Sequence, residues 1–253
     1  MDAKPFIRLD HALVERGLAP NRSRARDMVA RGCVRVGNIV AAKPGLKLAP
    51  GDHVHVDDPA ARYVSRAALK LVEGLAVSGF DPQGCHCLDL GSSTGGFTQV
   101  LLERGAASVL AVDVGHGQMV EHLAQDDRVT LREGVNARKL TAEDLRPSPN
   151  FIVSDMSFIS LTKGAEAALR LCAPAAKAIL LVKPQFEVGR DGVGKGGLVS
   201  DQTLLTETLE RVRGWFGALP GWREVAFVPS PITGSDGNVE YLLCGERHAI
   251  LPG

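Results

Sequence analysis

Apolar residues change their period along the chain. Between Ile7 and Ala30 they recur three and four positions apart, at Leu9, Leu13 and Val14 and then at Ala25, Met28 and Val29. The pattern predicts a first helix over His11–Arg16, led in by Ile7-Arg8-Leu9-Asp10 and closed by Gly17. A second follows over Arg22–Ala30, capped by Asn21 and closed by Gly32. After Gly32 the period falls to two. Val34 and Val36 lead through Gly37-Asn38 to Ile39, a hairpin, and Val54-His55-Val56 follows Gly51-Asp52 as a further strand. Pro59-Ala60-Ala61 reads as a linker. A helix is predicted from Tyr63 onward, taking in Arg66, Leu69, Lys70, Leu71 and Leu75.

Strands near 85–90, 108–113, 129–132, 151–155 and 178–183 then alternate with helices near 96–104, 162–171 and 202–216. Two last strands lie near 223–228 and 239–244. This order predicts an α/β fold with a doubly wound, mostly parallel, seven-stranded sheet. It is preceded by a small α+β domain over residues 1–58 and a linker over 59–65, so the larger domain spans 66–253.

Composition adds one asymmetry. With 45% hydrophobic and 23% charged residues the chain is an ordinary globular one, and its formal net charge is zero. Residues 1–50 nevertheless hold ten Lys and Arg against four acids, a charge of +6 that the remainder offsets. A basic end of this kind is expected to meet a polyanion. Five scattered cysteines without Cys-x-x-Cys pairs imply reduced thiols, a cytoplasmic location and no structural metal. No apolar run approaches the ~18 residues that span a bilayer, so no membrane partner is expected. The chain reads as a monomer or a weakly associating protein.

Candidate chemistry centres on Asp89-Leu90-Gly91-Ser92-Ser93-Thr94-Gly95-Gly96-Phe97, a strand–glycine loop–helix junction of the kind at which open α/β sheets hold nucleotide-like ligands. Ser93 stands where a Gly-x-Gly-x-x-Gly dinucleotide loop would carry its second glycine. The loop therefore allows close backbone approach without a diphosphate cradle, as S-adenosylmethionine requires. Asp113, 24 residues beyond Asp89, suits the ribose hydroxyls, and Asn136 after the third strand suits the adenine edge. Either residue could equally serve as a cap or turn.

Asp155 and Lys183 close the fourth and fifth strands. An antiparallel last strand would bring Glu240 to the same rim, with both acids flanking the lysine. Such a group could be a structural ion-pair network; beside a methyl-donor loop it reads as a reactive site. The strand end Asp155-Met156-Ser157-Phe158 lacks the two prolines common in methylases of exocyclic amines. Cys172 follows a helix and Cys244 lies far along a strand, so neither stands where a carbon-methylating nucleophile would be wanted. A ribose 2′-hydroxyl needs a base, and a lysine amine can supply one.

Two resemblances sharpen this. Arg8-Leu9-Asp10, Leu13-Val14, Arg16-Gly17-Leu18-Ala19, Arg22-Ser23-Arg24-Ala25, Arg31-Gly32, Lys43-Pro44 and Gly51-Asp52 make residues 7–57 resemble the S4 RNA-binding domain, with Gly37-Asn38 inverted from the usual Asn-Gly. That resemblance implies contact with structured RNA through Arg8, Arg22, Arg24, Arg26 and Lys43, joined by Arg66 and Arg138 of the second domain. Residues 62–245 resemble the FtsJ-type ribose 2′-O-methyltransferases, whose Lys-Asp-Lys-Glu tetrad falls on Lys70, Asp155, Lys183 and Glu240. Also matching are Arg62 to Lys70 and Lys183-Pro184-Gln185-Phe186-Glu187. The whole chain is similar to the TlyA family, some of whose members carry a haemolysin label. Membership implies S-adenosylmethionine as cofactor, bound by Asp89, Gly91, Ser93, Gly95, Gly96, Phe97, Asp113 and Asn136. It also implies cytidine ribose in rRNA of one or both ribosomal subunits as acceptor, with Lys183 taking the hydroxyl proton, Asp155 orienting it, and Lys70 and Glu240 fixing the ribose.

Gly189-Arg-Asp-Gly-Val-Gly194-Lys195-Gly196 nearly spells a P-loop. It has glycine where a hydroxyl must hold Mg²⁺ and follows the fifth strand, so a mobile basic lid is expected instead. Asp236-Gly237-Asn238 is a second loop that could touch cofactor or RNA, or be a plain turn. Two other readings are an RNA-binding assembly factor without catalysis and a membrane-lytic protein.

Overall fold

The structure, a computed structural model, describes residues 6–248; Asp2 and Lys4 of the basic segment lie outside the described residues. The chain divides into two units, residues 1–61 and 62–253.

In the first unit, β1 (Ile7–Arg8) runs straight into α1 (Leu9–Glu15), and Gly17 takes the left-handed conformation at φ +68° that ends it. The Asn21 side chain accepts from the Arg24 N–H and starts α2 (Arg22–Ala30), as the sequence predicts. The strands β2 (Val34–Val36), β3 (Ile39–Val40), β4 (Lys47–Leu48) and β5 (Val54–Val56) follow. β2 pairs antiparallel with β3 and β5, and β1 with β4. Leu9, Leu13, Ala25, Met28, Val34 and Leu48 form the core, so both helices lay their apolar face on the small sheets.

The second unit opens with α3 (Ala68–Ser78), five residues later than predicted. The residues before it form turns, in which the Val64 N–H donates to Gln99 Oε1 and the Ala67 N–H to Ser65 Oγ. Then come β6 (His86–Leu90), α4 (Gly96–Glu103), β7 (Ser108–Val112), α5 (Glu121–Ala124), β8 (Val129–Arg132) and β9 (Phe151–Ser154). The helix predicted over 162–171 is two pieces, α6 (Leu161–Gly164) and α7 (Glu166–Leu171). A Cβ at Gly164 would lie 2.5 Å from Met156 Cε, so the break lies where the chain packs tightly onto the Met156 side chain. β10 (Lys177–Val182), α8 (Pro184–Glu187), α9 (Gln202–Ala218), β11 (Trp222–Pro229) and β12 (Tyr241–Arg247) complete it.

The seven strands are ordered β11-β12-β10-β9-β6-β7-β8. β10, β9, β6, β7 and β8 are parallel, and β12 is antiparallel to both neighbours. Alternate residues of each central strand enter opposite layers. Leu88, Ile152, Leu180 and Val182 pack under α6, α7 and α9; Cys87, Val153, Ile179 and Leu181 pack under α3, α4 and α5. From β6 the chain first builds β7 and β8 on one side, then returns to lay β9 on the other. The β6–β9 boundary is therefore the topological switch point, whose carboxyl ends form the binding crevice of such sheets. No described helix is long and apolar enough to cross a membrane.

Candidate active site

Four charged side chains meet above this crevice. Asp155 is the first residue past β9 and Lys183 the first past β10. The register Val182↔Tyr241 sets Glu240, just before antiparallel β12, beside Lys183 on the rim. Lys70 comes from the first turn of α3. That helix lies close to β10, since a Cβ on Gly74 would fall 2.6 Å from Ile179 Cγ2. Lys70 Nζ donates to Glu240 Oε2 at 2.6 Å and to Asp155 Oδ2 at 3.3 Å. Lys183 Nζ sits 2.7 Å from Asp155 Oδ1 and donates to Ser157 Oγ at 2.7 Å. The two acids thus do not both flank Lys183. Glu240 belongs to Lys70, and Asp155 bridges the two lysine nitrogens. Ser157, which the sequence reading left unassigned although it stands in the Asp155–Phe158 strand end, is the hydroxyl partner of Lys183.

A cavity of about 690 Å³, within the range that holds a nucleoside-sized ligand, opens over Gly91, Ser93, Asp113, Asn136, Arg138 and Asp155. Gly91 has φ +83°, and a Cβ there would stand 3.0 Å from the Asp155 carbonyl oxygen and from Met156 Cα, so only glycine lets the β6 and β9 loops close up. Asp113 accepts from the Ser93 and Gly115 N–H groups at 2.8 and 2.7 Å and keeps acceptor capacity toward the cavity. A smaller cavity of about 170 Å³, lined by Ser92, Gly96, Phe97, Asp155, Ser157 and Lys183, adjoins it. There the Ser92 hydroxyl is buried with no partner in the protein. This open acceptor set, the unpartnered hydroxyl and the close glycine approach fit an adenosine ligand without a diphosphate.

Three predicted ligand residues sit differently. Asp89 does not reach either cavity. Strand parity turns it toward α4, where it is fully buried and accepts from Thr98 Oγ1 at 2.7 Å; burial pushes its carboxyl up to about 7. Gly95 lies against Leu123 and Met119 and serves the packing of α4. Asn136 lines the large cavity, but its Oδ1 accepts from the Arg138 N–H and caps a short 3₁₀ turn, the plain role open to it from sequence.

On the other side of the tetrad a third cavity of about 490 Å³ is lined by Arg66, Lys70, Lys183, Gln185, Phe186 and Glu240, among others. Phe158, at φ +64° and 93% exposed, stands at its mouth and at that of the cofactor-sized cavity. Its ring lies 5.3 Å from that of Phe186. The glycine-rich segment 189–197 also borders the third cavity. It is not free-standing: Asn238 donates to the Gly197 carbonyl at 2.8 Å and accepts from the Val199 N–H at 3.0 Å, tying it to the 234–240 loop. Glu187, buried at the end of the Lys183–Glu187 stretch, accepts from Ser160 Oγ and the Leu161 N–H and fixes the start of α6.

In the first unit the predicted arginines divide. Arg8, Arg22 and Arg26 converge on one carboxylate, Asp10, with their side chains half-exposed. Arg24 departs from expectation. Only 16% of its side chain is exposed, and it donates to the Ala60 carbonyl beside Asp58, which also holds Arg31. Its guanidinium therefore serves the fold of this unit. Lys43 is exposed.

Comparison with known proteins agrees with this architecture. Residues 63–247 match the FtsJ-like methyltransferase family and residues 7–54 the S4 domain. The 16S/23S rRNA (cytidine-2′-O)-methyltransferase TlyA of Mycobacterium tuberculosis is 43% identical over 93% of this chain and 88% of its own length. Hemolysin A of Brachyspira hyodysenteriae is 38% identical over 93% of this chain and 98% of its own. A solved structure from Streptococcus thermophilus, provisionally described as a hemolysin, superposes with a TM-score of 0.72 at 36% identity, covering 97% of this chain and 90% of that one. With a family match over most of its length and relatives this similar from end to end, the chain belongs to the FtsJ-like methyltransferases, in the TlyA group that adds an S4 domain.

Proposed function

We propose that this chain transfers a methyl group from S-adenosylmethionine to a ribose 2′-hydroxyl, cytidine by analogy with its named relatives, in ribosomal RNA. The observation that carries the reading is the paired tetrad at the meeting point of a nucleoside-sized cavity and a second, aromatic-rimmed one.

S-adenosylmethionine, when bound, supplies a methyl carbon already activated on a positively charged sulfur. Asp113, Ser93 and the Gly91 backbone are the groups that would hold its adenosine half. The acceptor oxygen must lose a proton as it takes the methyl group. Lys183 in its amine form takes that proton on Nζ, its hydrogen bond to Ser157 Oγ directing the nitrogen and the Asp155 carboxylate 2.7 Å away offsetting the charge it gains. Lys70, held between Glu240 and Asp155, presents a fixed ammonium to the ribose oxygens. Holding acceptor and donor in line contributes a large share of the acceleration, because the leaving group needs no further activation. Phe158 and Phe186 offer aromatic faces on which an unstacked nucleobase rests. The S4 unit supplies affinity for structured RNA through its arginines.

The test uses ribosomal subunits from cells lacking this protein and methyl-labelled cofactor. The wild-type chain is expected to label the RNA, and Lys183→Arg, whose guanidinium cannot accept a proton, to lose turnover while still binding cofactor. Full turnover by Lys183→Arg would remove Lys183 from the role of base.

A further inference from the structure

The basic surface of the S4 unit is organised by an acid. Asp10 is fully buried, yet its carboxylate accepts from Arg8 Nε at 3.0 Å, Arg22 at 3.1 Å and Arg26 Nε at 3.2 Å. One carboxylate needs one cation for balance. Three leave a local surplus of two positive charges, and these arginines remain 48–54% exposed. The neighbouring group contrasts. Around Asp58 the guanidiniums of Arg24 and Arg31 are largely buried, and Asp27 adds a second acid. Of the two groups, the one around Asp10 points surplus N–H donors to solvent.

Three like charges around one centre repel one another, and the carboxylate between them is what allows the spacing. The backbone braces the same point. The Asp10 N–H donates to the Pro44 carbonyl and the Leu9 N–H to that of Leu46, which fixes the loop carrying Lys43. Gly45 leaves room for the Arg8 guanidinium, whose Nη1 would lie 3.0 Å from a Cβ there.

Resting on the reading that this unit binds RNA, we infer that Asp10 is a positioning residue. Held beneath Arg8, Arg22 and Arg26, it fans them into a fixed array that grips the phosphodiester backbone of structured RNA. Guanidiniums ordered in advance lose less freedom on binding than three separate side chains would.

Charge counting and positioning make opposite predictions for Asp10→Asn. The substitution raises the net charge by one, so counting alone predicts tighter binding and a steeper dependence on salt. Positioning predicts weaker binding, by about tenfold, the scale of one charge-assisted hydrogen bond. The experiment measures the affinity of the full chain for purified ribosomal subunits at several salt concentrations, with kcat and KM for methyl transfer to the same subunits. For Asp10→Asn, KM is expected to rise with the loss of affinity while kcat at saturating subunits holds. In an Arg8→Ala/Arg22→Ala/Arg26→Ala background the same change is expected to have no further effect on affinity. Asp10→Glu, which keeps the charge and moves it by one methylene, covers the case in which the asparagine variant does not fold, and its affinity is expected to fall between the two. Affinity of folded Asp10→Asn equal to or above wild type, or of Asp10→Glu equal to it when the asparagine variant does not fold, overturns the proposal while leaving RNA binding intact. Equal affinity of the triple-arginine variant and wild type overturns the RNA reading of this face, and the proposal with it.

Discussion

Replacing Asp155 by asparagine tests how the tetrad works, because Asp155 alone touches both lysines. Its oxygens lie 2.7 Å from Lys183 Nζ and 3.3 Å from Lys70 Nζ, with about a tenth of each side chain exposed. At an effective dielectric of about 20 these contacts are worth about 6 and about 5 kcal/mol of gross attraction. Desolvation cancels much of that, and removing one member of such a buried group costs about 3–5 kcal/mol. The amide keeps the shape and one acceptor oxygen, but it leaves Lys70 with Glu240 alone and takes from Lys183 the carboxylate that offsets the positive charge its nitrogen gains on accepting the proton. If even 3 kcal/mol of this appears as misplacement of the Lys183 nitrogen in the transition state, turnover falls by about two orders of magnitude, since each 1.36 kcal/mol is tenfold. The assay is single-turnover methyl transfer to ribosomal subunits with cofactor and RNA both saturating, because Asp155 also lines the cofactor-sized cavity. Adding Lys183→Ala to Asp155→Asn is expected to cost little more, as groups acting as a unit are not additive. A single-turnover rate within tenfold of wild type would refute the bridging role of Asp155.

Asp89 gives a pH signature. Its folded carboxyl titrates near 7 against 3.8 as the ordinary value, so the native state holds a proton that the unfolded chain releases in between. Stability from this group is present below pH 4 and lost as pH rises toward 7, by a few kcal/mol. Asp89→Asn should remove that component, and unfolding curves of the two proteins that keep a constant offset from pH 4 to pH 8 would contradict it. Gly91→Ala forces a side chain into the left-handed region against the Asp155 carbonyl, a strain of about 1–2 kcal/mol in φ alone. Cofactor affinity measured by calorimetry should drop, and an unchanged value would count against the close-approach argument. Phe158→Ala removes an exposed ring, so the melting temperature should hold while KM for RNA rises by about 5- to 150-fold, the equivalent of about 1–3 kcal/mol of lost stacking; unchanged KM would exclude base stacking there.

Much of the catalytic domain was legible because strand ends are local. An apolar run that stops at an acid or a lysine announces a rim residue, which is how the sequence alone brings Asp155, Lys183 and Glu240 together. Who pairs with whom was not legible. The Lys70–Glu240 contact spans 170 positions and depends on Gly74 letting α3 lie close to β10. The start of α3 was misplaced for a similar reason, since the side chain that takes the Val64 N–H belongs to Gln99 on another helix. Asp89 reads as a cofactor ligand in sequence, and Asp10 only as part of the Arg8-Leu9-Asp10 motif. Their burial follows from strand parity in one case and from three converging arginines in the other. The segment 189–197 reads as a free lid, and the distant Asn238 ties it down.

The central claim is the atom that receives the methyl group. Ribosomal RNA labelled by the wild-type chain can be hydrolysed in alkali, which cleaves every linkage whose 2′-hydroxyl is free. A 2′-O-methylated ribose cannot attack its own phosphate, so the account predicts the label in alkali-resistant dinucleotides, with cytidine on the methylated ribose. Label recovered in mononucleotides would place the methyl group on a base and contradict it.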